Sequence, residues 1–225
     1  MNVVITGASG GIGLAFVKQY SLRGDKVFAI CRKANAELAQ LDVTIIDKMD
    51  ITKAANISQI VQQLKGIHID ILINNAGLLN NESLDSLIND PLSARNEINS
   101  QFQVNALAPL LLSSSLIAQM DSHSKIIFIT SRMGSIDDNT SGGYYGYRMS
   151  KAALNAGAKS LAVDLEPRKI AVGIFHPGYV ITKMTRFTGD MTAEESVSGL
   201  IRQIDTLTLE NSAHFYHSNG EKLPW

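Results

Sequence analysis

The chain has a single cysteine, Cys31, among its 225 residues. One thiol excludes an internal disulfide and any zinc site built on cysteines, and it suits a reducing compartment. The five histidines are scattered without metal-ligand spacing, so no metal is expected. Charge of one sign is missing too. A net charge of −1 gives no electrostatic reason to expect nucleic acid or an anionic membrane as partner. The apolar run from Ala106 to Leu112 contains Pro109 and is far short of a bilayer span. No basic-then-apolar leader precedes Asn2-Val3-Val4-Ile5, so a cytoplasmic protein is expected.

What is present reads as one α/β domain covering residues 1–225, long enough to bury a full sheet between helices. Hydrophobic content of 45% and charged content of 18% are ordinary for a globular protein. Candidate strands are Val3–Thr6, Lys26–Cys31, Val43–Ile46, Ile69–Ile73, Lys125–Thr130, Ile170–Phe175 and Ala213–His217. They are rich in Val, Ile and Phe without polar alternation, as strands covered on both faces are. Between them fall helices near Ile12–Arg23, Lys53–Lys65, Ser93–Met120, Tyr147–Glu166 and Ala193–Leu207. Thr192-Ala193-Glu194-Glu195 reads as a capping box at the start of the last. Regular βα alternation implies right-handed crossovers and a Rossmann-type, doubly wound parallel sheet of about seven strands, with helices on both faces.

Gly7, Gly11 and Gly13 sit where the first strand ends and the first helix begins. Glycine permits a tight turn and close backbone approach to a diphosphate, and the helix N-terminus offers N–H groups and positive dipole. The spacing is G-x3-G-x-G rather than the common G-x-G-x-x-G. At the end of the second strand stand Cys31-Arg32-Lys33, with no carboxylate before Glu37. An acid there would hold a ribose 2′-hydroxyl, whereas a guanidinium grips a 2′-phosphate. NADP(H) is therefore expected over NAD(H), with Arg32 as anchor and Ser9 as an added hydroxyl contact.

Tyr147 and Lys151 are four apart, so a helix places both on one face. A phenol is a poor acid at neutral pH, with an ordinary pKa of about 10. An ammonium beside it is expected to lower that value and ready the pair for alcohol/carbonyl proton transfer.

With these motifs in this order, the chain resembles the short-chain dehydrogenase/reductase family over essentially its full length. Thr6-Gly7-x3-Gly11-Ile12-Gly13 resembles that family's cofactor turn. The resemblance implies that Asp50 and Ile51 meet the adenine, and that Asn74-Asn75-Ala76-Gly77 lines the cofactor cleft. It implies a catalytic set of Asn105, Ser131, Tyr147 and Lys151, in which Ser131 holds the substrate oxygen and Asn105 anchors a water relaying protons to Lys151. Pro177-Gly178-Tyr179-Val180-Ile181-Thr182 resembles the segment that closes over the nicotinamide. Within the family the chain is most similar to the C-factor and sniffer-type carbonyl reductases, on Gly142-Gly143-Tyr144-Tyr145-Gly146-Tyr147 and the ending Gly220-Glu221-Lys222-Leu223-Pro224-Trp225. Two departures stand out. Gly10 occupies a position where many NADP-dependent members carry a basic residue, and the Ser131–Tyr147 interval is a few residues longer than usual.

The expected function is an NADP(H)-dependent oxidoreductase acting on a carbonyl or alcohol, with Tyr147 as acid/base. The alternative is an NADP-binding, C-factor-like signalling protein without essential turnover. Residues 183–191 are the expected substrate lid, and Met184, Phe187 and Met191 in it point to an apolar substrate, with Arg186 as a polar contact. Tyr144, Tyr145 and His176 read as structural. Surplus apolar positions at Leu107, Leu110, Leu111, Leu112, Ala152, Ala156, Leu161 and Val163 predict a homodimer or homotetramer.

Overall fold

The computed structural model describes residues 1–225. Its strands are β1 (Asn2–Thr6), β2 (Lys26–Ile30), β3 (Thr44–Ile46), β4 (Ile71–Asn74), β5 (Lys125–Ile129), β6 (Ala171–His176) and β7 (Phe215–His217). All pair in parallel, in the order β3-β2-β1-β4-β5-β6-β7. The helices are α1 (Gly11–Leu22), α2 (Ala36–Ala39), α3 (Ala54–Gln63), α4 (Leu84–Asn89), α5 (Pro91–Phe102), α6 (Ala108–Leu116), α7 (Tyr145–Leu165) and α8 (Ala193–Asp205).

Strand alternation divides the core in two. Val4, Leu72, Ile126 and Phe128 point to one face, where Ile60 of α3, Leu112 of α6 and Leu154 of α7 cover them. Val3, Ile5, Ile71 and Ile127 point to the other, beneath Phe16 of α1 and Leu200 of α8. Both faces are dry, which is why the strands carry no polar alternation. Thr192 and Glu195 form the expected capping box on α8, each accepting from the other's backbone N–H.

The helix expected as one piece over Ser93–Met120 is broken. It starts at Pro91, widens into a π-helical turn at Gln103–Leu107, resumes as α6 and ends in a 3₁₀ turn at Ile117–Gln119. Pro109 has no N–H to offer the carbonyl of Asn105 four residues back, and the ladder shifts by one residue there. The last strand also starts two residues later than Ala213, whose φ of +60° is left-handed and incompatible with a strand.

Candidate active site

From β1 the sheet winds one way through β2 and β3, and from β4 the other way, through β5 to β7. Connections leaving β1 and β4 diverge, so a crevice opens at the carboxyl ends of the strands. A cleft of about 1590 Å³ occupies that position. It is lined by Gly7, Ser9, Gly11, Ile12, Arg32, Asp50, Ile51, Asn75, Ala76, Gly77, Ser131, Tyr147, Lys151, Pro177, Gly178, Val180 and Thr182. Of the expected site residues, Gly13, Asn74, Asn105 and Ile181 do not line it.

The floor at one end is the glycine turn. Gly7 and Gly11 have φ of +67° and +51°, and a Cβ on Gly7 would lie 2.9 Å from the Ala76 Cα. A Cβ on Gly13 would collide with the Gly7 carbonyl, so that glycine sets the close packing of turn on helix. The Thr6 hydroxyl accepts from the backbone N–H of Asn75 (3.0 Å) and Ala76 (3.1 Å), while Asn75 Nδ2 donates to the Thr6 carbonyl (3.0 Å). Asn75 therefore holds the turn's shape. At the start of α1, Gly10 supplies no side-chain cap and the first turn has no acid, so its N–H groups are free for an anion. A diphosphate fits that donor set. Glu37, the nearest acid after β2, is paired with Lys18 at 2.5 Å, and Arg32 forms no ion pair. The donor set at this end thus suits a phosphorylated ribose.

At the other end, α7 carries Tyr147 and Lys151 into the cleft on one face, 8% and 4% exposed. The turn after β5 lies directly on them: a Cβ on Gly134 would fall 2.8 Å from the Lys151 carbonyl carbon. Ser131, 8% exposed, accepts from the Met133 N–H at 3.1 Å, which leaves its own O–H free to donate. Lys151 Nζ donates to the Ile129 carbonyl at 2.9 Å and lies 5.8 Å from the centre of the Tyr147 ring.

These placements reverse one expectation about proton affinity. Burial pushes the Tyr147 phenol up to about 12, and the Ser131 hydroxyl beside it pulls only weakly the other way. Burial likewise brings Lys151 down to about 8. No attraction from the ammonium offsets the burial of the phenol; the Nζ instead donates to the Ile129 carbonyl. His176 also lines the cleft; burial, with His217 and Arg132 near, holds its imidazole at about 3, hence neutral.

Asn105 is fully buried in the π turn. Its Oδ1 accepts from the Leu78 N–H (2.7 Å), and its Nδ2 donates to the Leu78 carbonyl (2.7 Å) and the Ser150 hydroxyl (3.0 Å). It ties the loop after β4 to α7.

A second strut was not visible in the sequence. Glu82, fully buried, accepts from the backbone N–H of Gly146 at 3.1 Å and from the Gln101 amide, so it caps α7 beside Tyr147. The one signal was Gly146, where a Cβ would lie 2.9 Å from the Ile98 Cα. Glu82→Ala strands both donors in the interior. It is expected to destabilise the protein by about 2–4 kcal/mol in urea unfolding; a loss under about 1 kcal/mol would show that water replaces the carboxylate.

Lys183–Met191 is a series of turns, pinned at its ends by Ile181 N–H donating to the Met191 carbonyl (2.9 Å) and Asp190 N–H donating to Tyr179 (2.8 Å). Of its apolar residues only Met184 lines the cleft. Phe187 is 72% exposed on an outer groove, and the Met191 side chain packs on Gly178.

A model of the short chain dehydrogenase family matches residues 1–197. The chain is 35% identical over 230 residues to the 1-hydroxy-2-glutathionyl-2-methyl-3-butene dehydrogenase of Rhodococcus sp. (strain AD45), covering 100% of this chain and 99% of the relative. It is 38% identical over 159 residues to the C-signal protein of Myxococcus xanthus, covering 70% and 93% of the two chains. Among solved structures it is similar to an NADPH-bound carbonyl reductase from chicken fatty liver, with a TM-score of 0.87, 30% identity and coverage of 100% and 98%. The carbonyl reductase Sniffer of D. melanogaster also gives a TM-score of 0.87, at 26% identity, with coverage of 100% and 99%.

Proposed function

The chain belongs to the short-chain dehydrogenase family, and we propose that it is an NADP(H)-dependent carbonyl reductase or alcohol dehydrogenase. The observation that carries the reading is the convergence of Ser131, Tyr147 and Lys151 on one wall of a cleft whose floor is an uncapped glycine turn. The NADPH bound by a similar carbonyl reductase supports the choice of cofactor.

Bound NADPH supplies the hydride, and the protein supplies position, protons and field. The N–H groups opening α1 would hold the diphosphate, Arg32 and Ser9 the 2′-phosphate, and Asp50 and Ile51 the adenine end. Asn75, Ala76 and Gly77 would line the ribose path, and Pro177, Gly178, Val180 and Thr182 the nicotinamide end. Lys151 would hold the ribose hydroxyls. The Ser131 O–H donates to the substrate oxygen and fixes its place. Tyr147 gives its proton to that oxygen in reduction and takes it back in oxidation. Asn105, by holding Leu78 and Ser150, keeps the helix in register; a water on its backbone would complete a relay to Lys151. Met184, Met133 and Val104 line the cleft and suit an apolar substrate body. With its one buried thiol, the protein suits the cytoplasm.

Mixing the protein with NADPH and a panel of aldehydes, ketones and quinones tests the reading. Failure to oxidise NADPH with any of them would sink it. The similarity to C-signal favours a second reading, an NADP-binding signalling protein. Such a protein would keep its signalling output when Tyr147 is replaced by Phe, because binding needs no acid.

Cofactor choice should rest on Arg32. Arg32→Ala is expected to weaken NADPH binding by about 1.5–3 kcal/mol, roughly 10- to 150-fold, with little change for NADH. Fluorescence titration with both nucleotides measures this; equal wild-type affinities would show that Arg32 points elsewhere.

We further propose a homodimer through α5, α6 and α7. Part of the apolar surplus is absorbed internally, since Leu112 and Leu161 are buried and Leu110 lies against Gly157. Phe102, Leu111, Met149 and Val163 remain exposed on these helices, at 41–57%. Light scattering should give about twice the 24.4 kDa chain mass at micromolar concentration; a monomer mass would reject the dimer.

A further inference from the structure

The cations of the cleft do not all belong to the cofactor end. Beside Tyr147 on α7, Arg148 lines the cleft, half-buried. Its guanidinium donates to the Ser141 hydroxyl (2.8 Å) and to the carbonyls of Gly143 (3.2 Å) and Gly142 (3.4 Å). All three acceptors are neutral, so the arginine is held in place with its charge uncompensated. Across the cleft the lid contributes Lys183 and Arg186, neither of which forms an ion pair.

Arg186 is also strained. It and Phe187 are consecutive left-handed residues, φ +54° and +60°, a conformation that non-glycine side chains seldom adopt. The result of that bend is that Phe187 faces out while Arg186 faces the cleft. A lid built only to cover an apolar substrate would turn the other way. The remaining charges on this side nearly cancel: Arg132 is paired with Asp138, and Glu97 alone opposes the three cations. Like charges gathered without counter-ions at a concave site raise the local concentration of the opposite charge.

We propose that the substrate is a carbonyl compound bearing a carboxylate, its acid held between Arg148 and the lid residue Arg186, with Lys183 adding to the field. The apolar body would lie deeper, against Met184 and Val104, with the carbonyl at Ser131 and Tyr147. A planar guanidinium can take a carboxylate through two parallel hydrogen bonds, which makes arginine at both points suited to an acid. This proposal rests on the oxidoreductase reading above.

The test is calorimetric binding of 4-(hydroxymethyl)benzoate and of its methyl ester to the NADPH-loaded protein, where no reaction can occur. The acid is expected to bind at least tenfold more tightly than the ester, and 0.5 M NaCl should shrink that gap. Arg186→Gln, on an exposed lid residue, and Arg148→Met should each reduce it to threefold or less. Equal binding of acid and ester would overturn the proposal. So would a gap that survives both substitutions, or an Arg186→Gln effect confined to NADPH affinity. NADPH oxidation with methyl 4-formylbenzoate separates the two readings. Reduction of that ester without preference for the acid keeps the oxidoreductase and loses the anion site. Preference in binding without reduction of any aldehyde does the reverse.

Discussion

Tyr147→Phe is expected to lower carbonyl reduction by about 10²–10⁴-fold while NADPH binds within a fewfold of wild type. Phenylalanine keeps the ring that fills this buried position beside Lys151 and removes only the hydroxyl. Of the other titratable groups in the cleft, His176 is held neutral by burial and Lys151 donates to the Ile129 carbonyl. Steady-state NADPH oxidation and a fluorescence titration of the cofactor decide the matter together. Activity within tenfold of wild type would remove Tyr147 from the acid role. Loss of both activity and binding would mean that the ring, rather than the hydroxyl, was the requirement.

Lys151→Met should damage turnover by about 10²-fold or more and weaken NADPH about tenfold, because the ammonium proposed to hold the ribose would, with the cofactor bound, also act on the phenol. Methionine keeps the buried stem, so packing loss is small. The pH dependence gives a sharper readout. Oxidation of an alcohol needs the phenolate, so its rate should climb with pH toward a plateau that reports the Tyr147 pKa in the loaded enzyme. Buried and without the cation's help, the phenol sits near 12. A bound cofactor that draws the ammonium toward it would bring the plateau down, and Lys151→Met should move it up by at least about one pH unit. An unmoved plateau would show that Lys151 does not tune the tyrosine.

Stability offers an independent check on the same lysine. Its folded pKa is about 8 against an ordinary 10.5, so between those values the unfolded chain binds more protons. Wild-type stability should therefore rise relative to Lys151→Met as pH goes from 8 to 10.5, by on the order of 1–3 kcal/mol. Above pH 10 the raised Tyr147 pKa acts oppositely, since the folded phenol keeps a proton that the unfolded one releases. Urea midpoints of both proteins at pH 7.5 and 9.5 span most of the lysine's window and stay below the tyrosine's, and the other titrating groups, the Cys31 thiol among them, cancel in the difference. A constant difference between the two proteins would refute the burial argument.

Much of this molecule is written locally. The strands announce themselves as apolar runs because both faces of a parallel sheet are dry, and the glycine turn because a left-handed φ of +67° at Gly7 and a Cβ site 2.9 Å from the Ala76 Cα together call for glycine. Tyr147 and Lys151 share a face because four residues make about one helical turn, and Arg32 follows β2 by chain order alone. Those readings need neighbours only a few residues away, and the sequence by itself determined them. What it could not carry depends on partners far along the chain. Glu82 meets Gly146 across 64 residues, and Asn105 meets Leu78 across 27, so neither role has a local signal. The break at Gln103–Leu107 arises from Pro109, but the packing of Asn105 on Leu78 decides that the chain continues as a helix rather than ending. Which lid residues face the cleft was likewise undecidable from composition, because two left-handed residues turn Phe187 outward and Arg186 inward. The sign of the Tyr147 shift followed the same rule. Four-residue spacing places a cation near a phenol, but only the folded surroundings determine how dry the phenol is and where the ammonium points.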